Sequence, residues 1–109
     1  MTVTVYGIPT CDTCRKALKA LQGAGHEASL RDIRKSPLGA EEIAEFIAIF
    51  GDEIINRKST SWRKASDALK GADPAEQLAS EPTLMKRPVI RSAAGLTLGW
   101  GSQVQAQYL

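Results

Sequence analysis

Two cysteines stand close together near the start of this chain, in the segment Cys11-Asp-Thr-Cys14, and they are the only cysteines among its 109 residues. Thiols at positions i and i+3 share one face of a helix, and one turn lies within the ~4.4–6.8 Å Cα separation that a disulfide tolerates. We therefore predict a redox pair in which Cys11 is the nucleophile and Cys14 the resolving thiol. The residues leave two alternatives open, inert core thiols and part of a metal site. One His and no further Cys make zinc's four ligand positions hard to fill.

The sequence around the cysteines indicates how they are positioned. Thr2 to Tyr6 alternates β-branched and aromatic residues, which predicts a strand, and Gly7-Ile-Pro-Thr10 supplies the residues that end it. From Asp12 onward apolar residues recur at helical spacing, and Gly23-Ala-Gly25 predicts the end of that helix. Cys11 is therefore expected at a helix N-terminus, where free N–H groups and the helix dipole favour an anion.

The helix end alone does not supply enough energy to ionise a thiol fully at neutral pH. An exposed helix N-terminus contributes about 0.3–1 kcal/mol, and ~2 in good geometry. Lowering a thiol pKa from ~8.5 to ~6 requires about 3.4 kcal/mol. Cations must provide the rest, and Arg15 is the first candidate, with Asp12 acting in the opposite direction.

The remaining pattern predicts a small α/β fold, with a central sheet and helices packed against it. The predicted elements are a second strand at His26 to Arg31, helices at Ala40 to Phe50 (with Ile43, Phe46, Ile47 and Phe50 in the core), Trp62 to Lys70 and from Asp73 to Pro82, a hairpin of Pro88 to Ile90 and Leu96 to Leu98, and a terminal helix at Ser102 to Leu109.

Composition narrows the function classes. Hydrophobic residues make up 43% and charged residues 24%, which is typical of a folded globular domain. The net charge of +2 is too small to favour a nucleic-acid partner. The longest mostly apolar stretch, Ile43 to Phe50, is too short to span a bilayer. The chain opens on a strand pattern with neither a basic leader nor a cleavage site, so we expect a cytoplasmic protein with reduced cysteines and no membrane partner.

Three segments resemble the ArsC family, which takes in glutaredoxin-linked arsenate reductases, Spx-type redox regulators and YffB-type thiol reductases. They are Tyr6-Gly-Ile-Pro-Thr-Cys-Asp-Thr-Cys-Arg-Lys-Ala-Leu18, Asn56-Arg-Lys58 and Leu84-Met-Lys-Arg-Pro-Val-Ile90. The resemblance implies one thioredoxin-like domain over residues 1–109. Its central mixed sheet would have about four strands, with a helical insertion at about residues 38–82 between the second and third strands.

The resemblance also implies roles for individual residues. Cys11 corresponds to the family's nucleophile, and Arg57 and Arg87 to two of the three arginines that hold the oxyanion in the arsenate reductases. At the third arginine position this sequence has Trp100, in Leu-Gly-Trp-Gly. That position is also aromatic, after a Leu-Gly pair, in the YffB branch, so arsenate reduction is not the favoured function. Pro88 would follow a cis peptide bond beside the thiol, and Trp100 could form one wall of the thiol pocket. Arg15 and the two family arginines are the candidates for binding an oxyanion or glutathione.

Together these features predict a thiol–disulfide oxidoreductase of the ArsC family with glutathione as cosubstrate and no bound cofactor or metal. The expected partners are glutathione or a glutaredoxin-like reductant and a disulfide or small oxyanion substrate, and the expected oligomeric state is a monomer. An arsenate reductase is the first alternative. The second is a non-enzymatic Spx-type regulator that binds RNA polymerase and uses Cys11 and Cys14 as a redox switch.

Overall fold

The computed structural model describes residues 2–109, which form four strands and six α-helices with two 3-10 turns. The strands are β1 (Thr2–Gly7), β2 (Glu27–Asp32), β3 (Val89–Ser92) and β4 (Gly95–Leu98). The helices are α1 (Asp12–Gly23), α2 (Ala40–Phe50), α3 (Thr60–Lys64), α4 (Asp67–Lys70), α5 (Pro74–Ser80) and α6 (Ser102–Tyr108). The 3-10 turns are Gly51–Ile54 and Pro82–Leu84. No helix in residues 2–109 is long and apolar enough to cross a bilayer.

The four strands form one mixed sheet in the order β2-β1-β3-β4. β1 and β2 are parallel, with Thr2 opposite Glu27 and Gly7 opposite Asp32, and α1 connects them. β3 runs antiparallel to both β1 and β4. The helical segment lies between the second and third strands, so the predicted architecture is confirmed.

The described residues divide into two compact units. The first contains the chain up to Ile33 together with Arg87–Leu109, and the second is Arg34–Lys86. The first unit therefore holds the whole sheet, both cysteines, α1 and α6. The single domain expected over residues 1–109 stays a prediction.

The core of the first unit follows from alternation along β1. Val3 and Val5 point to one face of the sheet, where they join Ala17 and Leu21 of α1 in one buried cluster. Ala17 and Leu21 are four residues apart and share a face of the helix. This packing fixes α1 against the sheet, so the residue that begins the helix is held at the end of β1.

The second unit corrects one predicted helix. Trp62 to Lys70 is expected to be continuous, but the structure divides it into α3 and α4. Ala65 is extended, and the Ser66 side chain accepts a hydrogen bond from the Leu69 N–H at 3.1 Å. A serine that caps a new helix satisfies a free N–H at the cost of continuity with the preceding turn.

The apolar stripe of α2 is only partly in the core. Ile43 and Phe46 are buried, whereas Ile47 and Phe50 are half-buried, so the prediction that all four are core residues is wrong for the last two. Within its unit α2 packs against α5, which has seven residues against eleven in α2.

Candidate active site

Cys11 stands at the junction of β1 and α1, at the N-cap position. Its backbone is extended, with φ −82° and ψ 117°, and it is half-buried. Its N–H donates to the Ile8 carbonyl at 3.1 Å, and its carbonyl accepts the first helical hydrogen bond, from the Arg15 N–H at 3.0 Å. The thiol therefore lies over the N-terminal turn of α1, as the strand-to-helix pattern predicts.

Several groups act on the ionisation of Cys11. Partial burial disfavours the thiolate, but hydrogen bonds from the backbone N–H and the thiol of Cys14, the positive charge of Arg87 and the backbone N–H of Thr13 together outweigh it. The net result is that the pKa of Cys11 lies below its usual value. A lowered thiol pKa raises the thiolate fraction at neutral pH, and the thiolate is the nucleophilic form.

Cys14 is in the opposite state. It is fully buried, and burial raises its pKa to about 12, with smaller upward contributions from the hydrogen bond and the negative charge of Cys11. The Ile8 backbone N–H and Arg87 act in the other direction without reversing the shift. Cys14 is therefore a protonated, inaccessible thiol in direct contact with a half-buried sulfur that ionises more easily.

Arg15 does not act as expected. Its guanidinium pairs with the Asp12 carboxylate, and both side chains are mostly exposed, at 61% and 77%. The guanidinium whose charge lowers the pKa of Cys11 is that of Arg87. The i,i+3 pairing on α1 explains the difference, because Asp12 neutralises the nearest cation in sequence. A role for Arg15 in binding a substrate stays a prediction.

Arg87 and Pro88 lead into β3 beside the cysteines. The peptide bond between them is cis, as the resemblance implies. The buried Pro88 offers its carbonyl to the Gly99 N–H at 2.8 Å. This hydrogen bond joins the segment before β3 to the residue that precedes Trp100.

Trp100 is half-buried and packs against the core cluster of the first unit. Its carbonyl accepts a hydrogen bond from the Gln105 side chain at 2.9 Å, which fixes the turn that enters α6. The residue is thus a partly buried aromatic side chain, and its contribution to a wall of the thiol pocket stays a prediction.

Arg57 belongs to the second unit and is exposed. Its guanidinium carbon lies 5.3 Å from the centre of the Trp62 ring, and Nη1 donates to the Asp52 carbonyl at 3.4 Å. Stacking on an aromatic face orients a guanidinium while leaving donors for an anion. Its part in oxyanion or glutathione binding remains a prediction.

Sequence reasoning expected free N–H groups of the helix to act on the Cys11 thiol, but it missed the backbone donor beside Cys14. The N–H groups of Thr13 and Ile8 act on Cys11 and Cys14 respectively. The position of Thr13 in the first turn agrees with that expectation, since the first N–H groups of a helix lack partners within it. Ile8 lies in the segment Gly7-Ile-Pro-Thr10, for which only the end of a strand was predicted. Across residues 2–109 no cluster of three or more His, Cys, Asp or Glu side chains could hold a metal ion.

Two relatives match nearly the whole chain. An uncharacterized protein of Haemophilus influenzae is 35% identical over an alignment of 106 residues, and the match covers 93% of this chain and 93% of that protein. The global transcriptional regulator Spx of Listeria innocua is 30% identical over 113 residues, covering 98% of this chain and 86% of that protein.

Solved structures confirm the thioredoxin-like α/β fold. A YFFB protein has a TM-score of 0.87 at 27% identity, with 98% of each chain covered. An arsenate reductase (ArsC) related protein from Brucella melitensis has a TM-score of 0.75 at 30% identity, covering 99% of this chain and 94% of that one.

The sequence profile of the ArsC family matches residues 6–107. The match includes both cysteines, Arg57, the cis Arg87–Pro88 bond and Trp100, so it spans every candidate site residue. The chain belongs to the ArsC family.

Proposed function

We propose that this protein is a cytoplasmic thiol–disulfide oxidoreductase that uses glutathione, with Cys11 as nucleophile and Cys14 as resolving thiol. One observation carries the proposal, the contact between two thiols in opposite states. Cys11 is half-buried with a lowered pKa, and Cys14 is buried with a pKa of about 12. In such a pair Cys11 makes the first attack, and Cys14 stays protonated until the mixed disulfide has formed.

In the first step the Cys11 thiolate attacks one sulfur of a substrate disulfide. A bond forms between the two sulfurs, the substrate S–S bond breaks, and the second substrate sulfur leaves as a thiolate that takes a proton from water. The charge of Arg87 and the first N–H groups of α1 hold the attacking thiolate. The product is a mixed disulfide between Cys11 and half of the substrate.

In the second step the Cys14 thiol loses its proton and attacks the Cys11 sulfur. Burial is the largest cause of the high pKa of Cys14, but the hydrogen bond and negative charge of Cys11 add to it. Those two contributions vanish once the Cys11 sulfur is in a mixed disulfide, so the pKa of Cys14 falls in the intermediate. The resolving thiol is therefore activated by completion of the first step. The bond between Cys11 and the retained half of the substrate breaks, that half leaves as a thiol with the proton that Cys14 gave up, and the protein holds a Cys11–Cys14 disulfide.

The electrons must then be restored. Two molecules of glutathione reduce the Cys11–Cys14 disulfide and leave as glutathione disulfide, which balances the two electrons given to the substrate. Glutathione carries two carboxylates, and the planar fork of an arginine suits such groups. Arg57 or Arg87 would meet these carboxylates, as the family resemblance implies.

The test uses a small symmetrical disulfide as substrate and glutathione as reductant, with wild type, Cys11→Ser and Cys14→Ser compared. We expect Cys11→Ser to be inactive. We expect Cys14→Ser, treated with the substrate disulfide before glutathione is added, to accumulate a mixed disulfide at Cys11, seen as the added mass of half the substrate. An active Cys11→Ser protein would end the proposal, as would a Cys14→Ser protein that forms no adduct.

Arsenate reduction is the alternative enzyme function, favoured by the family and by the solved relative described as related to arsenate reductase. Cys11 would attack arsenate, with Arg57 and Arg87 stabilising its charge. Trp100 stands where the third arginine of that subgroup is expected, so the oxyanion has one guanidinium fewer. The thiol reductase is therefore the better-supported function.

A regulatory function is the second alternative, favoured by the 30% identity with Spx over almost the whole chain. The Cys11 and Cys14 pair would then act as a redox switch on binding to RNA polymerase. A pull-down with the polymerase α-subunit, using oxidised and reduced protein, separates this function from catalysis. Binding that depends on the redox state supports the regulator, and failure to bind in either state removes it.

A further inference from the structure

The last residue of β1 has no side chain, and the Cys14 thiol occupies the place where one would be. A Cβ atom added at Gly7 would overlap the Cys14 Sγ atom and stand 3.2 Å from Cys14 Cβ and 3.7 Å from Leu30 Cδ1. Both Gly7 and Cys14 are buried. The sulfur of the resolving thiol therefore packs directly on the backbone of the strand.

The backbone conformation of Gly7 does not require glycine. Positive φ angles occur at Gly25, Gly51, Gly95 and Gly99 among the described residues, and Gly7 is not one of them. It is a paired strand residue opposite Asp32, and its carbonyl accepts the Ile33 N–H at 3.0 Å. A glycine weakens a strand and often marks the close approach of another group. Here that group is the Cys14 thiol.

The same thiol meets two further groups from this position. The Ile8 backbone N–H hydrogen-bonds the Cys14 sulfur, and the Cys14 thiol hydrogen-bonds Cys11. A cysteine side chain has one rotatable angle that places its sulfur, with three staggered positions. Rotation to another staggered position would take the sulfur out of the place beside Gly7 from which it makes both hydrogen bonds.

We propose that Gly7 is a positioning residue for the dithiol chemistry: its missing side chain leaves the space that holds the Cys14 sulfur against Cys11. The inference rests on the proposed function, because it assigns Gly7 a role through the resolving thiol. It extends the site to a residue that acts through Cys14.

The test is a set of four proteins, wild type, Gly7→Ala, Cys14→Ala and the double variant. Two quantities are measured without any physiological substrate, the Cys11 pKa from thiolate absorbance near 240 nm and the equilibrium between the Cys11–Cys14 dithiol and its disulfide in a glutathione buffer. We expect Gly7→Ala to raise the Cys11 pKa and to shift the equilibrium toward the dithiol by about tenfold or more, because overfilling a packed site displaces its neighbours. In the Cys14→Ala background we expect Gly7→Ala to leave the Cys11 pKa unchanged.

Gly23→Ala is the matched control. Gly23 lies at the end of the same helix, and a Cβ there would meet nothing within 4 Å. It should leave the Cys11 pKa and the disulfide equilibrium at their wild-type values. A shift in Gly23→Ala as large as that in Gly7→Ala overturns the proposal. It would mean that the Cys11 pKa and the disulfide equilibrium do not depend on the space beside the thiol.

Folding of Gly7→Ala is itself informative. If the single variant does not fold but the Gly7→Ala/Cys14→Ala double variant does, the overlap with Sγ is the reason and the proposal holds. If neither folds, Gly7 serves the strand for another reason and the proposal fails. Wild-type values in a folded Gly7→Ala protein also overturn it. These outcomes are independent of catalysis, so an inactive wild type would refute the proposed function without deciding the role of Gly7.

Discussion

The guanidinium of Arg87 lies close enough to Cys11 for its positive charge to lower the pKa of that thiol. Arg87 immediately precedes the cis bond to Pro88 and begins the second of the two chain segments that make up the first unit. Arg15, only four residues from Cys11, pairs with Asp12. The electrostatics of the thiol therefore depend on a contact between distant segments, in addition to the N-terminus of α1.

Alkylation should distinguish the two thiols. In the reduced native protein at pH 7, we expect iodoacetamide to modify Cys11 faster than Cys14 by a factor of about 100 or more, because a buried thiol of high pKa is almost entirely protonated. Peptide mass analysis after timed quenching measures both rates. The same reaction in denaturant is the control and should modify both cysteines at similar rates. Equal rates in the native protein would contradict the asymmetry.

Cys14 should make the fold less stable in alkali. Burial raises the pKa of Cys14 to about 12, above the ~8.5 of an unfolded thiol. The folding stability that this neutral thiol contributes is therefore complete below pH ~8.5, and it is lost as the pH rises toward 12. The free energy of unfolding should fall by at most about 1.4 kcal/mol per pH unit in that window from this group. Cys11 has a lowered pKa, so its contribution is lost as pH falls through that pKa, and it is already complete above pH ~8.5.

The measurement is urea unfolding of the reduced protein between pH 8.5 and 10.5, for wild type and Cys14→Ala. Lysines and tyrosines titrate in both proteins, so the difference between the two isolates Cys14. We expect the stability of wild type to fall more steeply than that of the variant. Parallel curves would show that Cys14 is not a buried neutral thiol.

The local parts of this site could be predicted from the sequence. Alternation in β1 and helical spacing from Asp12 place Cys11 at a helix N-terminus, and the structure has α1 begin at Asp12. The choice of cation could not be made from spacing, because the pairing of Arg15 with Asp12 and the approach of Arg87 are both tertiary outcomes. The division at Ser66 was missed for a different reason. The free-energy difference between a helix that continues through Ser66 and one that restarts with Ser66 as its N-cap is small. A periodic pattern of apolar residues does not distinguish the two.

Arg57 gives a prediction about glutathione. Its guanidinium is stacked on Trp62 and exposed, so Arg57→Ala should raise the KM for glutathione with a smaller change in kcat, because binding of the cosubstrate is what it supports. Arg63→Ala is the control. Arg63 is also exposed in the second unit, and its side chain donates to the Thr60 hydroxyl at 3.4 Å. Steady-state rates at varied glutathione concentration test both variants, and equal KM values for the two would remove Arg57 from the binding site.

Arsenate should not be a substrate. With Trp100 at the third arginine position, the oxyanion would meet Arg57 and Arg87 alone, and loss of one preorganised charge typically costs a factor of about 10²–10³ in rate. We expect no arsenate-dependent oxidation of a coupled thiol system by a preparation that is active on a disulfide. An authentic arsenate reductase in the same assay is the positive control. Arsenate turnover comparable to that control would make arsenate reduction the function.

The claim that Arg87 lowers the Cys11 pKa is tested most directly by titrating the Cys11 thiolate through its absorbance near 240 nm. The proteins compared are wild type, Arg87→Ala and Arg15→Ala, each with Cys14 present and reduced. We expect a wild-type Cys11 pKa below the ~8.5 of a free cysteine, a higher value in Arg87→Ala and a smaller rise in Arg15→Ala, which leaves the exposed Asp12 unpaired. A wild-type value at or above that of a free cysteine, or equal values in wild type and Arg87→Ala, would contradict this expectation.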